Sequence, residues 1–206
     1  MGKVIADLAT SAASATFAVE NATSSVDYVL SGTDGSANDH LKTDGSGNLA
    51  WVTPAGGSFS SYAVICDQKA AGITCGTFTS GAWRHRDLNT EITDTDGIVS
   101  IATNDFTLAA GTYLIMWSAP CYEGSRHKTR LYDVTGTAVV EIGSSGVASS
   151  ATQTRSFGYK RVTPSGSNAY RIEHQCETTK ATNGLGLESD FSAVEKYTIV
   201  EIYKEA

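Results

Sequence analysis

The sequence predicts an all-β fold: an antiparallel β-sandwich of jelly-roll type over residues 59–206, preceded by an extended N-terminal segment and a short β neck. Three observations predict it. From residue 59 onward, apolar side chains recur at period two in short runs separated by turn residues. No helical spacing of useful length interrupts those runs. Near residue 58 the texture changes, from a leader almost free of large side chains to a segment long enough to bury a core.

The domain plan follows from that change. Residues 1–30 form a candidate anchoring segment, residues 31–58 a glycine-rich neck, and residues 59–206 the knob. In the leader, Ala, Ser and Thr dominate, and Ile5, Leu8, Ala12, Ala15 and Val19 fall three or four residues apart. A short helix and an extended segment packed on another chain fit this pattern equally. With Phe17, Val19, Val26, Tyr28, Val29 and Leu30 as most of its bulky residues, the leader needs a partner to become ordered. Ile5, Leu8, Phe17 and Val19 are the candidate anchor contacts.

In the neck, Asp34-Gly35 and Asp44-Gly45 are turn signals. Brief strands between them are expected to carry the apolar anchors Leu30, Leu41, Leu49 and Trp51. Leu49 and Trp51 are the candidate packing residues, with Trp51 sealing the neck against the knob or a neighbouring chain.

In the knob, strands are expected near 60–66, 83–88, 97–101, 105–108, 112–119, 126–134, 138–142, 152–162, 168–177 and 192–204. Tyr113, Ile115 and Trp117 alternate with Leu114 and Met116, so both faces of that strand are apolar and it reads as central and doubly buried. In 168–176, Tyr170, Ile172 and His174 alternate with Arg171, Glu173 and Gln175, the pattern of a half-exposed strand. Glu195 to Tyr203 repeats aromatic and β-branched residues. Many short strands at regular spacing mean a sandwich or jelly roll.

Composition excludes several function classes. The formal net charge is −7, against the basic face that nucleic acid or an anionic membrane requires. No stretch approaches the apolar length of a membrane span. The start, Met-Gly-Lys-Val-Ile-Ala-Asp, lacks the apolar core of a secretion signal. Cys66, Cys75, Cys121 and Cys176 show no two-residue spacing of a zinc or redox motif. They read as small core residues, with a Cys66–Cys75 bridge as the exception to look for.

Catalysis finds little support. The chain has no nucleophile elbow, zinc-protease motif or phosphate loop. Ser125-Arg-His-Lys128 matches a Ser-x-x-Lys pattern, but at a strand start rather than on a helix. His40, His85, His127 and His174 lack ligand spacing. Asp94-Thr-Asp-Gly97 opens like a calcium loop yet lacks its remainder, and reads as a hairpin turn. Arg84, Arg86 and Asp87 after Trp83 read either as a structural ion-pair cluster under a packed indole or as a sugar-stacking patch. No catalytic residue, metal or cofactor is assigned.

Residues 106–113, Phe-Thr-Leu-Ala-Ala-Gly-Thr-Tyr, run into Leu-Ile-Met-Trp. The spacing of Phe106, Gly111 and Tyr113 ahead of an apolar strand resembles the complement and tumour-necrosis-factor jelly roll, where a central strand follows a glycine turn. Trp83-Arg-His-Arg-Asp-Leu-Asn-Thr-Glu followed by Asp96-Gly97-Ile98 is similar to bacteriophage fibre knobs. So is the neck Leu41-Lys-Thr-Asp-Gly-Ser-Gly-Asn-Leu-Ala-Trp51, and the Ala/Ser/Thr-rich leader fits their N-terminal segments. The aromatic C-terminal pattern of complement heads is only roughly followed by Glu195–Tyr203.

The resemblance implies a homotrimer, a virion location on tail or baseplate after assembly in the host cytoplasm, and host attachment by a short tail fibre or receptor-binding protein. Its implied partners are other virion proteins at the N-terminal segment and a host-surface glycan or protein at the knob. A head fibre or capsid decoration protein is the alternative. A carbohydrate-binding module or a glycan-degrading tailspike-like protein is the second alternative.

The family's shared base for stalk and C-terminus, with strands running alternately up and down, puts the turns near Gly136 and at 164–167 at the base. It puts 120–125, 143–151 and 178–189 at the tip. Tyr122, Glu123, Arg126, His127, Thr179, Lys180 and Asn183 are the candidate receptor contacts there.

Overall fold

The computed structural model describes residues 16–18, 27–29, 35–53 and 58–206. No helix occurs among them. The chain divides into two compact units, residues 1–56 and 57–206.

In the first unit, β1 (Thr16–Ala18) pairs antiparallel with β2 (Asp27–Val29), so Phe17 lies opposite Tyr28. Ile5, Leu8 and Val19 lie outside the described residues, as does the rest of the helix-or-extended question. A hairpin follows, of β3 (His40–Thr43) and β4 (Leu49–Val52), with Leu41 opposite Trp51. Its turn is built by Asp44, whose carboxylate accepts from the backbone N–H of Ser46 at 2.7 Å and from Asn48 Nδ2 at 2.6 Å. Gly45 and Gly47 supply positive φ values of 81° and 95°. Trp51 lies over Gly35, where a Cβ would stand 2.7 Å from the indole. Leu49 sits half-buried in β4.

The second unit is the sandwich. Its strands are β5 (Phe59–Lys69), β6 (Arg84–His85), β7 (Thr90–Thr93), β8 (Val99–Ala102), β9 (Asp105–Leu108), β10 (Tyr113–Tyr122), β11 (Ser125–Asp133), β12 (Ala138–Ala148), β13 (Gln153–Val162), β14 (Asn168–Cys176) and β15 (Glu195–Glu205). One sheet has the order β13-β10-β15-β5-β7. The other has the order β12-β11-β14-β9-β8, with β6 also on β14. All pairs are antiparallel. From β10 onward, consecutive strands pass from sheet to sheet except at the β11–β12 hairpin, which gives the two interlocked Greek keys of a jelly roll.

The core lies between the sheets. From one come Ile65, Tyr113, Ile115, Trp117, Val200 and Ile202; from the other come Phe106, Leu108, Leu131, Tyr170 and Ile172. Period-two alternation sets these faces: in β14, Tyr170, Ile172 and His174 point inward while Arg171 and Gln175 face out. Gly111, at φ 153°, leads into β10 with the Tyr113 ring where its Cβ would stand, 3.1 Å away.

Several expectations are corrected. Strand β10 is central, but its outer face is open within this unit: Met116 is 40% exposed, because no element of the unit covers that side. Cys66 and Cys75 are not bridged; all four cysteines are free and buried, and the Cys75 thiol donates to Asp67 Oδ2 at 3.0 Å. The 94–97 turn joins β7 of one sheet to β8 of the other, so it is a crossover rather than a hairpin. There the Asp94 carboxylate accepts from the N–H groups of Ile98 and Val99 at 2.8 and 3.0 Å.

Strand β6 is two residues long where 83–88 was expected, since Arg84 turns to the loop carbonyls of Thr79 and Ser80 at 3.0 and 3.2 Å. Strand β12 extends to Ala148, beyond the expected 142.

Candidate functional site

The Phe59–Glu205 pair places the entry and exit of the sandwich at one end, together with the 134–137 and 163–167 turns. The opposite end gathers the segments 70–83, 123–124, 149–152 and 177–194. These four pieces are bonded to one another rather than splayed. The backbone N–H of Cys75 donates to Gly186 O, and the N–H of Phe78 to Lys180 O. The N–H of Tyr122 donates to Gly184 O, and that of Glu123 to Thr152 O.

Glu123 is the centre of this arrangement. Its Oε1 accepts from the backbone N–H of Ala151 at 2.6 Å, and its Oε2 pairs with Lys180 Nζ. The Lys180 ammonium lies 5.4 Å from the centre of the Tyr122 ring. The lysine contact holds the Glu123 carboxyl below the usual carboxylate range. Thr179 Oγ1 accepts from the Ser80 N–H at 3.0 Å, and Asn183 O accepts from the Gly186 N–H, also at 3.0 Å. The end therefore presents a rigid surface, which lowers the ordering entropy of binding.

Tyr122, Glu123, Lys180, Thr179 and Asn183 thus come together. Arg126 stands beside them in β11, its guanidinium paired with Glu177, which also accepts from Ser125 Oγ at 2.7 Å and from the Arg126 backbone N–H at 3.4 Å. These bonds, that from Arg126 first, bring the Glu177 carboxyl down to about 2. His127 differs from its expected place in a loop. It lies within β11 with its ring turned inward and only 4% exposed.

The His127 ring belongs to a directional chain. Its Nδ1 lies 2.9 Å from His174 Nε2, and its Nε2 lies 2.7 Å from Thr154 Oγ1. Thr154 Oγ1 donates to Val147 O at 3.1 Å. The consistent assignment is His174 Nε2–H to His127 Nδ1, then His127 Nε2–H to Thr154, then Thr154 to the carbonyl. Within this chain of bonds, the one ring nitrogen then left without a partner among the described residues is an unprotonated His174 Nδ1. Burial, with Arg86 second, holds His127 down to about 4 and His174 well below the ordinary histidine value.

Arg86 itself is fully buried, donating to Thr198 Oγ1 at 2.8 Å and Leu185 O at 2.7 Å. Asp87 bonds Lys69 and Asn104. The residues after Trp83 are therefore structural. Ser125 and Lys128, three apart on one strand, fall on opposite faces, which removes the Ser-x-x-Lys pairing.

A groove of about 570 Å³ opens on the outer face of the six-stranded sheet beside this end, between Trp83, Arg126, Lys128, Ser145, Gln175 and Glu177. Of these, Trp83, as a sugar-stacking residue, and Arg126 carried a binding signal in the sequence, and Lys128 only the Ser-x-x-Lys match that the strand removes. Ser145, Gln175 and Lys128 meet only through strand register.

No protein-family model matches the sequence, and no curated protein does. Among solved structures, the globular domain of zebrafish complement 1qA is similar at 13% identity and TM-score 0.46, covering 69% of this chain and 95% of that one. Murine APRIL is similar at 7% identity and TM-score 0.46, covering 70% and 98%. Eiger TNF from S. frugiperda is similar at 10% identity and TM-score 0.48, covering 71% and 92%. The jelly-roll assignment rests on strand order and does not depend on these likenesses.

Proposed function

We propose that this chain is the protomer of a homotrimeric virion appendage, a short tail fibre or baseplate-attached receptor-binding protein, whose knob grips a host surface with its distal end. The observation that carries the reading is the outer wall of the five-stranded sheet. Tyr159, Phe157, Tyr62 and Met116 stand there 72%, 57%, 53% and 40% exposed. Leu114 and Tyr203 lie between them in the ladder. An exposed apolar patch of this kind, crossed by Glu201 beside Met116 and edged by Arg161 beside Leu114, marks an interface.

Two further copies of this chain are its occupants. The wall runs along the strands, and the sandwich is entered and left at one end. Copies packed wall against wall about a threefold axis close a ring, with all entrances at one end and all loop-rich ends at the other. The fibre-like phrases of the leader and neck support the virion setting. Three rigid ends per appendage turn weak polar contacts into firm attachment.

The test is the solution mass of the chain with and without residues 1–58. A trimer in both forms supports the reading, and a monomer in both removes it. Tyr159→Glu is expected to yield folded monomers. Tyr122→Ala combined with Arg126→Ala is expected to abolish adsorption to host cells while the trimer persists; unchanged adsorption would move the contact away from these residues.

A further inference from the structure

The groove beside Trp83 has an ordered floor. Arg126, Lys128 and Arg130 project outward in turn from β11. Strand register sets Lys128 opposite Gln175 and Arg130 opposite Glu173. The two arginines are each taken by a glutamate, Arg126 by Glu177 and Arg130 by Glu173. Between these ion pairs, Lys128 faces the neutral Gln175 on one side and the neutral Ser145 on the other.

Among the described residues, none makes a hydrogen bond or ion pair with the side chains of Lys128, Gln175 or Ser145. Trp83 completes the row. Strand β6 pairs His174 with Arg84, so Trp83 stands one step beyond, level with Gln175. Arg130 steadies the indole, its guanidinium carbon 4.3 Å from the ring centre.

Gln175, Lys128 and Ser145 therefore form one line across β14, β11 and β12, which Trp83, just before β6, extends. It contains an aromatic plate, an amide, an unpaired ammonium and a hydroxyl. On a chain of net charge −7, the groove's charged walls sum to one excess positive charge, from Arg126 and Lys128 against Glu177. An indole stacks on the C–H face of a pyranose, the amide and hydroxyl meet ring hydroxyls, and the ammonium requires an anion. A volume of about 570 Å³ is in the range of small-ligand sites.

We propose that this groove binds a saccharide bearing a carboxylate, with the sugar ring on Trp83 and the carboxylate on Lys128. The inference rests on reading the knob as a surface-binding module, and it names that module's ligand class.

The test titrates the full-length protein, at low ionic strength, with galacturonic acid tetrasaccharide and with an N-acetylneuraminic acid oligomer. The tetrasaccharide's methyl ester serves as the neutral control. Binding is read by ligand-observed NMR and by tryptophan emission. At least one acidic sugar is expected to bind about fivefold or more tighter than the ester. Lys128→Met should erase that preference, and Trp83→Leu should remove the emission change. Lys196→Met, an exposed lysine on the other sheet, should change neither.

Equal binding of acid and ester, binding by Lys128→Met equal to that of the parent, or no binding of either acidic sugar overturns the proposal. Should the Lys128 variant lose its fold by circular dichroism, the acid-against-ester comparison on the parent protein decides alone. Cell adsorption by a trimer that ignores both acidic sugars defeats the groove assignment and leaves the appendage reading standing. Acid-selective binding by a chain that is monomeric and does not adsorb defeats the appendage reading and leaves the groove assignment standing.

Discussion

The indole Nε1–H of Trp117 donates to Thr129 Oγ1 at 2.8 Å, joining the two sheets through the middle of the sandwich. The bond continues as a chain: Thr129 Oγ1 lies 2.8 Å from Ser156 Oγ, which donates to Ser144 O at 2.6 Å. Trp117, Thr129 and Ser156 are buried, so each of their polar atoms depends on its neighbour, and the chain ends at the exposed Ser144. Thr129→Val would remove the acceptor while keeping the shape, stranding the indole N–H. The expected loss is about 2 kcal/mol, read as a lower denaturant midpoint at unchanged slope.

Trp117 also dictates a glycine. A Cβ at Gly158 would lie 2.0 Å from the indole Cζ2, whereas one at Gly166 would meet nothing within 4 Å. Gly158→Ala is expected to destabilise by about 3 kcal/mol or more, because the ring is locked by its bond to Thr129. Gly166→Ala should shift the thermal midpoint by no more than a degree or two. Comparable midpoints for the two variants would contradict this packing.

Acid should weaken the knob through its buried histidines. His127 is held down to about 4, against an ordinary value of 6.5. Between these values the unfolded chain carries the proton and the folded chain does not, so stability falls as pH drops through that window. It is complete above the window, and His127's contribution is gone below about pH 4, a loss of about 3 kcal/mol. His174 shifts the same way and adds to the slope. Chemical denaturation between pH 7 and 4 measures it, and His127→Gln should flatten the curve. Stability that rose toward pH 4 would refute the assignment.

The thiols should be silent in the native state. Burial pushes Cys75 up to about 12 and Cys121 and Cys176 up to about 11. Alkylation at pH 8 is expected to label none of the four before unfolding and all four after it. An intact mass two units low, or only two labels after unfolding, would show that one pair is bridged, and labels confined to Cys121 and Cys176 would assign it to Cys66–Cys75.

Removing the buried guanidinium should be among the most damaging single changes. Arg86 holds Thr198 of β15, the carbonyl of Leu185 in the long loop and, at 3.5 Å, the Cys75 thiol. Arg86→Leu is expected to lower stability by about 3 kcal/mol by leaving those acceptors unmatched. Hydrogen exchange should show segments 70–83 and 177–194 opening before the strands do.

Local patterns carried much of the fold. Alternation alone marks β10, β13, β14 and β15, and it separates Tyr170, Ile172 and His174 from Arg171 and Gln175, because side-chain direction in a strand has period two whatever its neighbours. Asp-Gly at 44–45 marks a turn for an equally local reason, the positive φ that glycine accepts. Partnership is not local. Strand β7 was not anticipated, since four residues reading Thr-Glu-Ile-Thr become a strand only at the edge beside β5.

The same limit hid the groove and the histidine chain. Lys128 and Gln175 lie 47 positions apart and meet only because β11 pairs β14 in one register. A one-residue slip would have turned Lys128 inward and His127 outward. Sequence by itself settled where most of the long strands run and which of their side chains share a face, because those depend on neighbours two residues away. Only the tertiary structure decided that Leu114 and Met116 face away from the core of the sandwich, that Glu123 ties together the loops opposite the end where the sandwich is entered, and that among the described residues the Lys128 ammonium stands unpaired between two ion pairs. Those relationships come from sheet order and register, which are long-range choices made by the whole chain.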